Sequence, residues 1–256
     1  MLALKTMLTT VRILADQGPV RVELARWRDR FVVVKRLQGF YPMLEERLRR
    51  EAKVVSKLDH PNIVPLLATE GGALIYAYCP GVTLAEALED GPLRRNRSVK
   101  IIQDVLSALA YAHKEEVIHC DVKPSNILIK GEVSLLTDFG FAKDLALTAI
   151  TGQNAMLGTP NYMSPEQFQG VRTDPRSDLY AAGAVLYHML TGEPPYGRQV
   201  LRFLVAEDSR LKLDPLPPAV SSLQGVIDRA LTRDPEDRFQ SAEEMLEALA
   251  AVPSGA

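Results

Sequence analysis

Two hydrophobic periodicities divide this chain, and a fold that satisfies both must join a β-sheet to a helical body. Over residues 9–38, short β-rich runs (residues 11–14, 20–24 and 31–34) alternate with Gly, Pro and charged breaks, the pattern of a twisted antiparallel sheet. Across residues 42–58 the period changes: Leu44, Leu48, Ala52 and Val55 recur at helical spacing. Two more strands are expected at 63–67 and 73–78. Cys79-Pro80-Gly81 then reads as a break. Beyond it helical signals dominate, at 97–114, 177–190, 219–231 and 241–250, the last opening Ser241-Ala242-Glu243-Glu244 like a capping box. The expected fold class is α+β and bilobal. Residues 1–78 form a small antiparallel sheet plus one helix, and residues 79–256 a larger, mainly helical lobe.

Composition narrows the class. A chain of 256 residues with 46% hydrophobic and 24% charged residues is globular, which excludes disorder, coiled coil and collagen. A net charge of -2 argues against a nucleic-acid binder. Cys79 and Cys120 cannot build a disulfide framework and fit a reducing compartment as small hydrophobes. The longest apolar stretch, 179–190, is broken by His188 and is too short to span a bilayer. Nor does the N-terminus, with Lys5 and Arg12, look like a signal peptide. The expected location is cytoplasmic.

The chemistry concentrates in His119-Cys120-Asp121-Val122-Lys123-Pro124-Ser125-Asn126, followed by Thr137-Asp138-Phe139-Gly140. Each set is bracketed by short apolar runs, and ionisable groups between buried strands must be hydrogen-bonded or stay wet. Phosphoryl transfer uses such an arrangement: one carboxylate accepts the attacking hydroxyl's proton, while a second carboxylate and an amide oxygen hold Mg²⁺ on the phosphates.

In these residues the chain resembles the eukaryotic-type (Hanks-type) serine/threonine protein kinase family, in a compact, bacterial-like form. The likeness runs from about Val11 to Leu249. Lys35, closing Val32-Val33-Val34-Lys35, matches the third-strand lysine that grips the α- and β-phosphates, and Glu51 matches the helix glutamate that pairs with it. Gly158-Thr159-Pro160-Asn161-Tyr162-Met163-Ser164-Pro165-Glu166 resembles the substrate-docking end of the activation segment. Arg176-Ser177-Asp178 resembles the start of the helix whose aspartate holds the catalytic loop. Arg238, in Asp234-Pro235-Glu236-Asp237-Arg238, matches the partner of Glu166.

The resemblance implies the roles. Asp121 is the expected base and Lys123, two residues on, meets the γ-phosphate in the Ser/Thr-type manner; Asn126 and Asp138 are the expected Mg²⁺ ligands, with Mn²⁺ as a substitute. Val22, Val33 and Leu128 would sandwich the adenine of ATP, Ala77 and Cys79 would offer backbone hydrogen bonds to it, and Tyr76 would stand behind them. His119, Phe139, Leu66 and Val55 match an apolar stack that aligns the lobes, so His119 is structural. The expected partners are ATP and a protein bearing a Ser or Thr acceptor, without nucleic acid or membrane segment.

Two departures stand out. Ala15, Gln17 and Val20 occupy the three glycine positions of the phosphate loop, and Pro19 lacks an N–H. Losing one or two charge-assisted bonds of about 1.5–3 kcal/mol predicts modest ATP affinity. Cys120 replaces the arginine that receives an activation-segment phosphate in the family, and Ala155 replaces the usual phosphoacceptor. Receptor and acceptor are absent together, which implies a segment that needs no phosphorylation there; Arg47 and Lys143 remain as anion contacts. Ser125 and Thr83 stand where acidic residues often select basic substrates. The degenerate loop also supports a rival reading, a pseudokinase that binds without turnover. A small-molecule kinase fits less well, since the 158–166 segment with Arg238 would have no purpose there.

Overall fold

Five strands build one antiparallel sheet in the order β1-β2-β3-β5-β4. They are β1 (Thr9–Gln17), β2 (Val20–Trp27), β3 (Arg30–Leu37), β4 (Leu66–Glu70) and β5 (Ala73–Ala77). The computed structural model describes residues 8–139, 143–144, 160–205 and 211–253. Strand alternation assigns the sheet's faces. Val32 and Val34 of β3 are buried with Ala25, Trp27, Ala73 and Ile75 in a small cluster on one side. Val33 and Lys35 therefore take the other face. Their register partners share it: Leu24 and Val22 on β2, Tyr76 and Leu74 on β5.

Helix α1 (Pro42–Val55) opens with proline at its first turn and buries Leu48, Glu51, Val54 and Val55. It stops three residues short of the periodic pattern. Lys57 and Leu58 donate to Val54 O and Val55 O, three residues back, which tightens the end of the helix. β4 begins at Leu66 rather than at 63, because Pro65 offers no N–H to a ladder; Ile63 instead makes an isolated bridge to Leu136.

The remainder comprises β6 (Val82–Thr83), α2 (Leu84–Leu88), α3 (Arg95–Lys114), β7 (Val117–Ile118), β8 (Ile127–Lys130), β9 (Val133–Leu136), β10 (Lys143–Asp144), α4 (Pro165–Phe168), α5 (Arg176–Thr191), α6 (Val200–Val205), α7 (Gln224–Ala230) and α8 (Ala242–Ala251). α5 is apolar nearly all round and lies at the centre, against α3 and α7, while α3 also packs on α8 and β9. The helix expected over 219–231 splits: Pro217 and Pro218 open a 3₁₀ stretch, Pro218–Leu223, and α7 follows. Only half of the expected capping box forms. Ser241 Oγ accepts from Glu244 N–H, but the Glu244 carboxylate turns to Gln240 N–H and Arg229.

Two glycines permit close approaches. A Cβ at Gly81 would lie 2.1 Å from Ile129 O of β8, so the segment after the sheet passes directly against that strand. In α5 a Cβ at Gly183 would lie 2.5 Å from Ala230 Cβ of α7, so glycine sets how closely these helices cross. Among the described residues no helix is long and apolar enough to cross a membrane.

Gly183→Ala should cost about 1–3 kcal/mol by forcing the helices apart, lowering the melting temperature by roughly 2–8 °C. Gly183→Ala/Ala230→Gly should recover part of the loss. A double variant no more stable than Gly183→Ala would refute this account of the crossing.

Candidate active site

Lys35 is the junction of the site. Its Nζ donates to both Glu51 oxygens, at 3.0 and 2.9 Å, and to Asp138 Oδ1 at 2.8 Å. β3 supplies the cation, α1 one carboxylate and the segment after β9 the other. Burial alone would lower the Lys35 pKa, but the two carboxylates outweigh it and raise the pKa above the ordinary value, so the ammonium stays charged. Glu51 is nearly sealed from solvent and accepts a third bond, 2.7 Å, from the Tyr76 hydroxyl. Asp138 holds φ +62, a left-handed conformation uncommon outside glycine.

The loop between β7 and β8 carries the other expected groups. Asp121 Oδ2 accepts from Lys123 Nζ at 2.7 Å and from Asn126 Nδ2 at 3.0 Å, and Asn126 Nδ2 also reaches Asp121 O. Thr137 N–H donates to Asn126 O at 2.9 Å. Asp138 thus lies one residue from a direct contact with the Asn126 backbone. An unbroken chain of contacts runs Glu51, Lys35, Asp138, Thr137, Asn126, Asp121, Lys123. Asn126 spends its amide N–H₂ group on Asp121, which leaves its hard carbonyl oxygen, with the Asp138 carboxylate, as a donor set suited to Mg²⁺.

This loop is held from beneath by Asp178, at the start of α5. Its buried carboxylate accepts from His119 N–H and Cys120 N–H, both at 2.8 Å, and from His113 Nε2 at 2.9 Å. Those bonds support Cys120 at φ +63, a costly conformation for a side chain with a Cβ. Both His119 ring nitrogens are occupied: Nδ1 accepts from Asp121 N–H and Nε2 donates to Thr137 O, while the ring packs edge-on to Phe139. Phe139 and Val55 are buried in the same core, and Leu66 packs against it. The Cys120 thiol points to Ile118 O and Arg172 O.

Below the loop, Glu166 and Arg238 form a two-pronged pair at 2.7 and 2.8 Å, with the guanidinium fully buried over the Tyr180 ring. Ser177 Oγ donates to Glu166 as well. Burial would raise the Glu166 pKa, but the Arg238 and Ser177 hydrogen bonds prevail and hold it at about 2.

Val22, Val33 and Leu128 are half-buried, the first two on the Lys35 face of the sheet. Ala77 donates its N–H to Pro65 O, so it can serve a base only as an acceptor. Burial raises the Cys79 thiol pKa, consistent with an inert side chain. The segment expected as a degenerate phosphate loop is a tight hairpin, paired to its tip at Gln17 and Val20, with Gly18 at φ +62. Asp16 clamps it, accepting from Arg21 at 2.9 Å and Gln38 at 2.6 Å, and Gln38 N–H donates to Pro19 O. Gly140, Thr148, Thr151, Ala155 and Gly158 lie outside the described residues, as does the Lys143 side chain.

The family model of the protein kinase domain matches residues 16–249. This chain belongs to the protein kinase family. Among curated relatives, this kinase domain is 38% identical over 253 residues to serine/threonine-protein kinase PrkC of Bacillus subtilis, covering 92% of this chain and 39% of the relative. It is 38% identical over 267 residues to serine/threonine-protein kinase PknB of Mycolicibacterium smegmatis, covering 95% and 42%. With serine/threonine-protein kinase pkn2 of Myxococcus xanthus it shares 33% over 228 residues, covering 82% and 28%. The chain therefore spans about two fifths or less of these relatives' length.

Three contacts of this kinase domain escaped sequence reasoning: His113 on Asp178, Ser177 on Glu166, and the Tyr76 hydroxyl on Glu51. For His113 a signal existed, since it extends the buried stripe of α3 by one turn beyond Leu109.

The Glu166 pKa, about 2 against 4.5, fixes a sign. A lowered folded-state pKa gives stability that is full above the unfolded value and lost as pH falls toward 2, on the order of 3 kcal/mol. Urea unfolding between pH 6 and 2.5 should show this loss. In Arg238→Met stability at neutral pH should drop by about 3–5 kcal/mol and the acid slope should flatten; an unchanged slope would contradict the assignment.

Proposed function

We propose that this domain transfers the γ-phosphoryl group of Mg-ATP to Ser or Thr hydroxyls of protein substrates. The observation that carries this reading is Lys35 bonded at once to Glu51 and to Asp138, 103 positions further along the chain. The names of the relatives, all serine/threonine-protein kinases, support the same class.

In this reading Asp121, its carboxylate oriented by Lys123 and Asn126, accepts the substrate hydroxyl's proton as the hydroxyl oxygen bonds to the γ-phosphorus. The bond from that phosphorus to the β-γ bridging oxygen breaks, and ADP leaves with the electron pair. Lys35 binds the α- and β-phosphates, and Lys123 the γ-phosphate. Asn126 and Asp138 would hold Mg²⁺, or Mn²⁺ in its place, which supplies charge neutralisation on the phosphates. Val22, Val33 and Leu128 enclose adenine, with Ala77 and Cys79 at its polar edge. Most of the rate comes from positioning and fixed charge. Residues 1–78 and 79–256 act as the two lobes of one domain, and a cytoplasmic setting suits two cysteines that form no disulfide.

The pseudokinase reading draws on the hairpin tip, where Pro19 offers no donor and Asp16 is engaged within the protein. One assay separates the two. With Mg-ATP and a generic protein substrate, Asp121→Asn should lower phosphate incorporation by about 10²–10⁴-fold, and EDTA should abolish it. Background incorporation by both proteins would establish the scaffold instead.

The thiol of Cys120, where the family places an arginine, further supports a segment that works without added phosphate. Phosphatase-treated enzyme should keep its rate, and Thr148→Ala and Thr151→Ala should stay within about twofold of wild type, on the scale of a near-neutral surface change. Collapse of activity in any of the three would overturn that regulation while leaving the transfer chemistry intact.

A further inference from the structure

Tyr76 sits on β5, paired with Val33 of β3 on one side and with Leu66 of β4 on the other, so the sheet fixes its ring from both flanks. Its hydroxyl donates to Glu51 Oε1 at 2.7 Å. The side chain of α1 that must stay aimed at Lys35 is thus tied to the sheet twice, once by Lys35 and once by Tyr76. These ties are not equivalent. Lys35 divides its donors between Glu51 and Asp138, and in the proposed reaction it must also meet phosphate. Tyr76 has one donor and spends it on Glu51.

The N-terminal end of α1 is lightly anchored. Its N-cap residue, Tyr41, makes no side-chain capping bond, and Phe40 and Met43 beside it are more than four-fifths exposed. Its main sheet contacts are to β4 and β5, the strand of Tyr76. Gly39 leads into the helix at φ +96, and the chain there has no ladder partner. What holds the helix in place is concentrated from its middle to its C-terminal end, where Leu48, Val54 and Val55 are buried in the core beside Glu51.

We propose that the Tyr76 hydroxyl is a positioning group that latches α1 through Glu51, keeping the carboxylate aimed at Lys35 while that lysine exchanges its own partners for phosphate. The inference rests on the kinase reading for its consequence in catalysis, but the latch itself is a property of the unliganded fold. Burial, and then the charge of Glu51, push the phenol pKa well above its ordinary value, so the group stays a donor at any working pH. It is a permanent tie and not a titrating switch.

Removing the hydroxyl while keeping the ring isolates the effect. In Tyr76→Phe, backbone amides of α1 should exchange with deuterium about tenfold faster, equivalent to about 1.4 kcal/mol, while α3 and α5 stay unchanged. KM for ATP should rise several-fold with kcat within about twofold, because saturating nucleotide re-engages Lys35 and restores the competent state. In an E51A background the same substitution should add nothing to α1 exchange. Tyr76→Met, which also lacks the hydroxyl and fills similar space, should behave as Tyr76→Phe does and guards against a folding defect in either variant.

An α1 exchange rate raised less than threefold in both variants would overturn the latch. So would equal acceleration with and without Glu51, which would mean that the hydroxyl acts other than through its bond to Glu51. Exchange is read without turnover, so the latch is decided even if wild type and Asp121→Asn prove equally inactive, an outcome that removes the kinase reading alone.

Discussion

A single ammonium group ties three parts of this protein together. Lys35 projects from the middle of a sheet into a partly buried space, and a cation there costs several kcal/mol unless opposite charge surrounds it. Glu51 and Asp138 supply that charge from a helix and from the segment after β9. Sheet, helix and loop are therefore held in one relative arrangement by electrostatics, and the hydrophobic core that runs beneath them has only to be compatible with it. The Lys35 side chain is itself only 16% exposed, and each bond to the ammonium is stronger for that burial.

A second frame lies on the helical side. α5 carries Asp178 at its first turn, and that carboxylate collects the backbone donors of His119 and Cys120. Arg238 and Glu166 lock the next layer, with every prong of the guanidinium occupied. Neither pair is at the proposed chemistry. Asp178 holds the Asp121 loop directly and the Arg238 pair holds α4, whose Gln167 donates to Cys120 O, so the left-handed residue at Cys120 is sustained from both. Rigid support beneath a reactive loop is the arrangement that preorganised catalysis requires.

Much of this was legible from residue order. Alternation in β3 determined which face Lys35 would share with Val33, and helical spacing in α1 put Glu51 on the side of Leu48 and Val55. Boundaries were less legible. The strand starting at Leu66 and the helix starting at Gln224 were displaced by prolines, Pro65 by withholding an N–H from the ladder and Pro217 and Pro218 by opening a 3₁₀ stretch first. Least legible were contacts between side chains that no periodicity relates. Tyr76 on Glu51, and Asp16 between Arg21 and Gln38, arise only once the strands are in register. Bulk at position 76 was apparent from its type; the direction of its hydroxyl was not.

The clamped hairpin of β1 and β2 bears on how a nucleotide would be received. A glycine-rich roof supplies many donors, but it wanders when empty, and that wandering must be frozen out on each encounter. Here the hairpin is tied at Asp16 by two surface hydrogen bonds, with a proline at its tip whose torsion is preset. If it covers a nucleotide as proposed, it would give up less motional freedom on contact, and part of the enthalpy forfeited with the missing N–H would be returned as entropy.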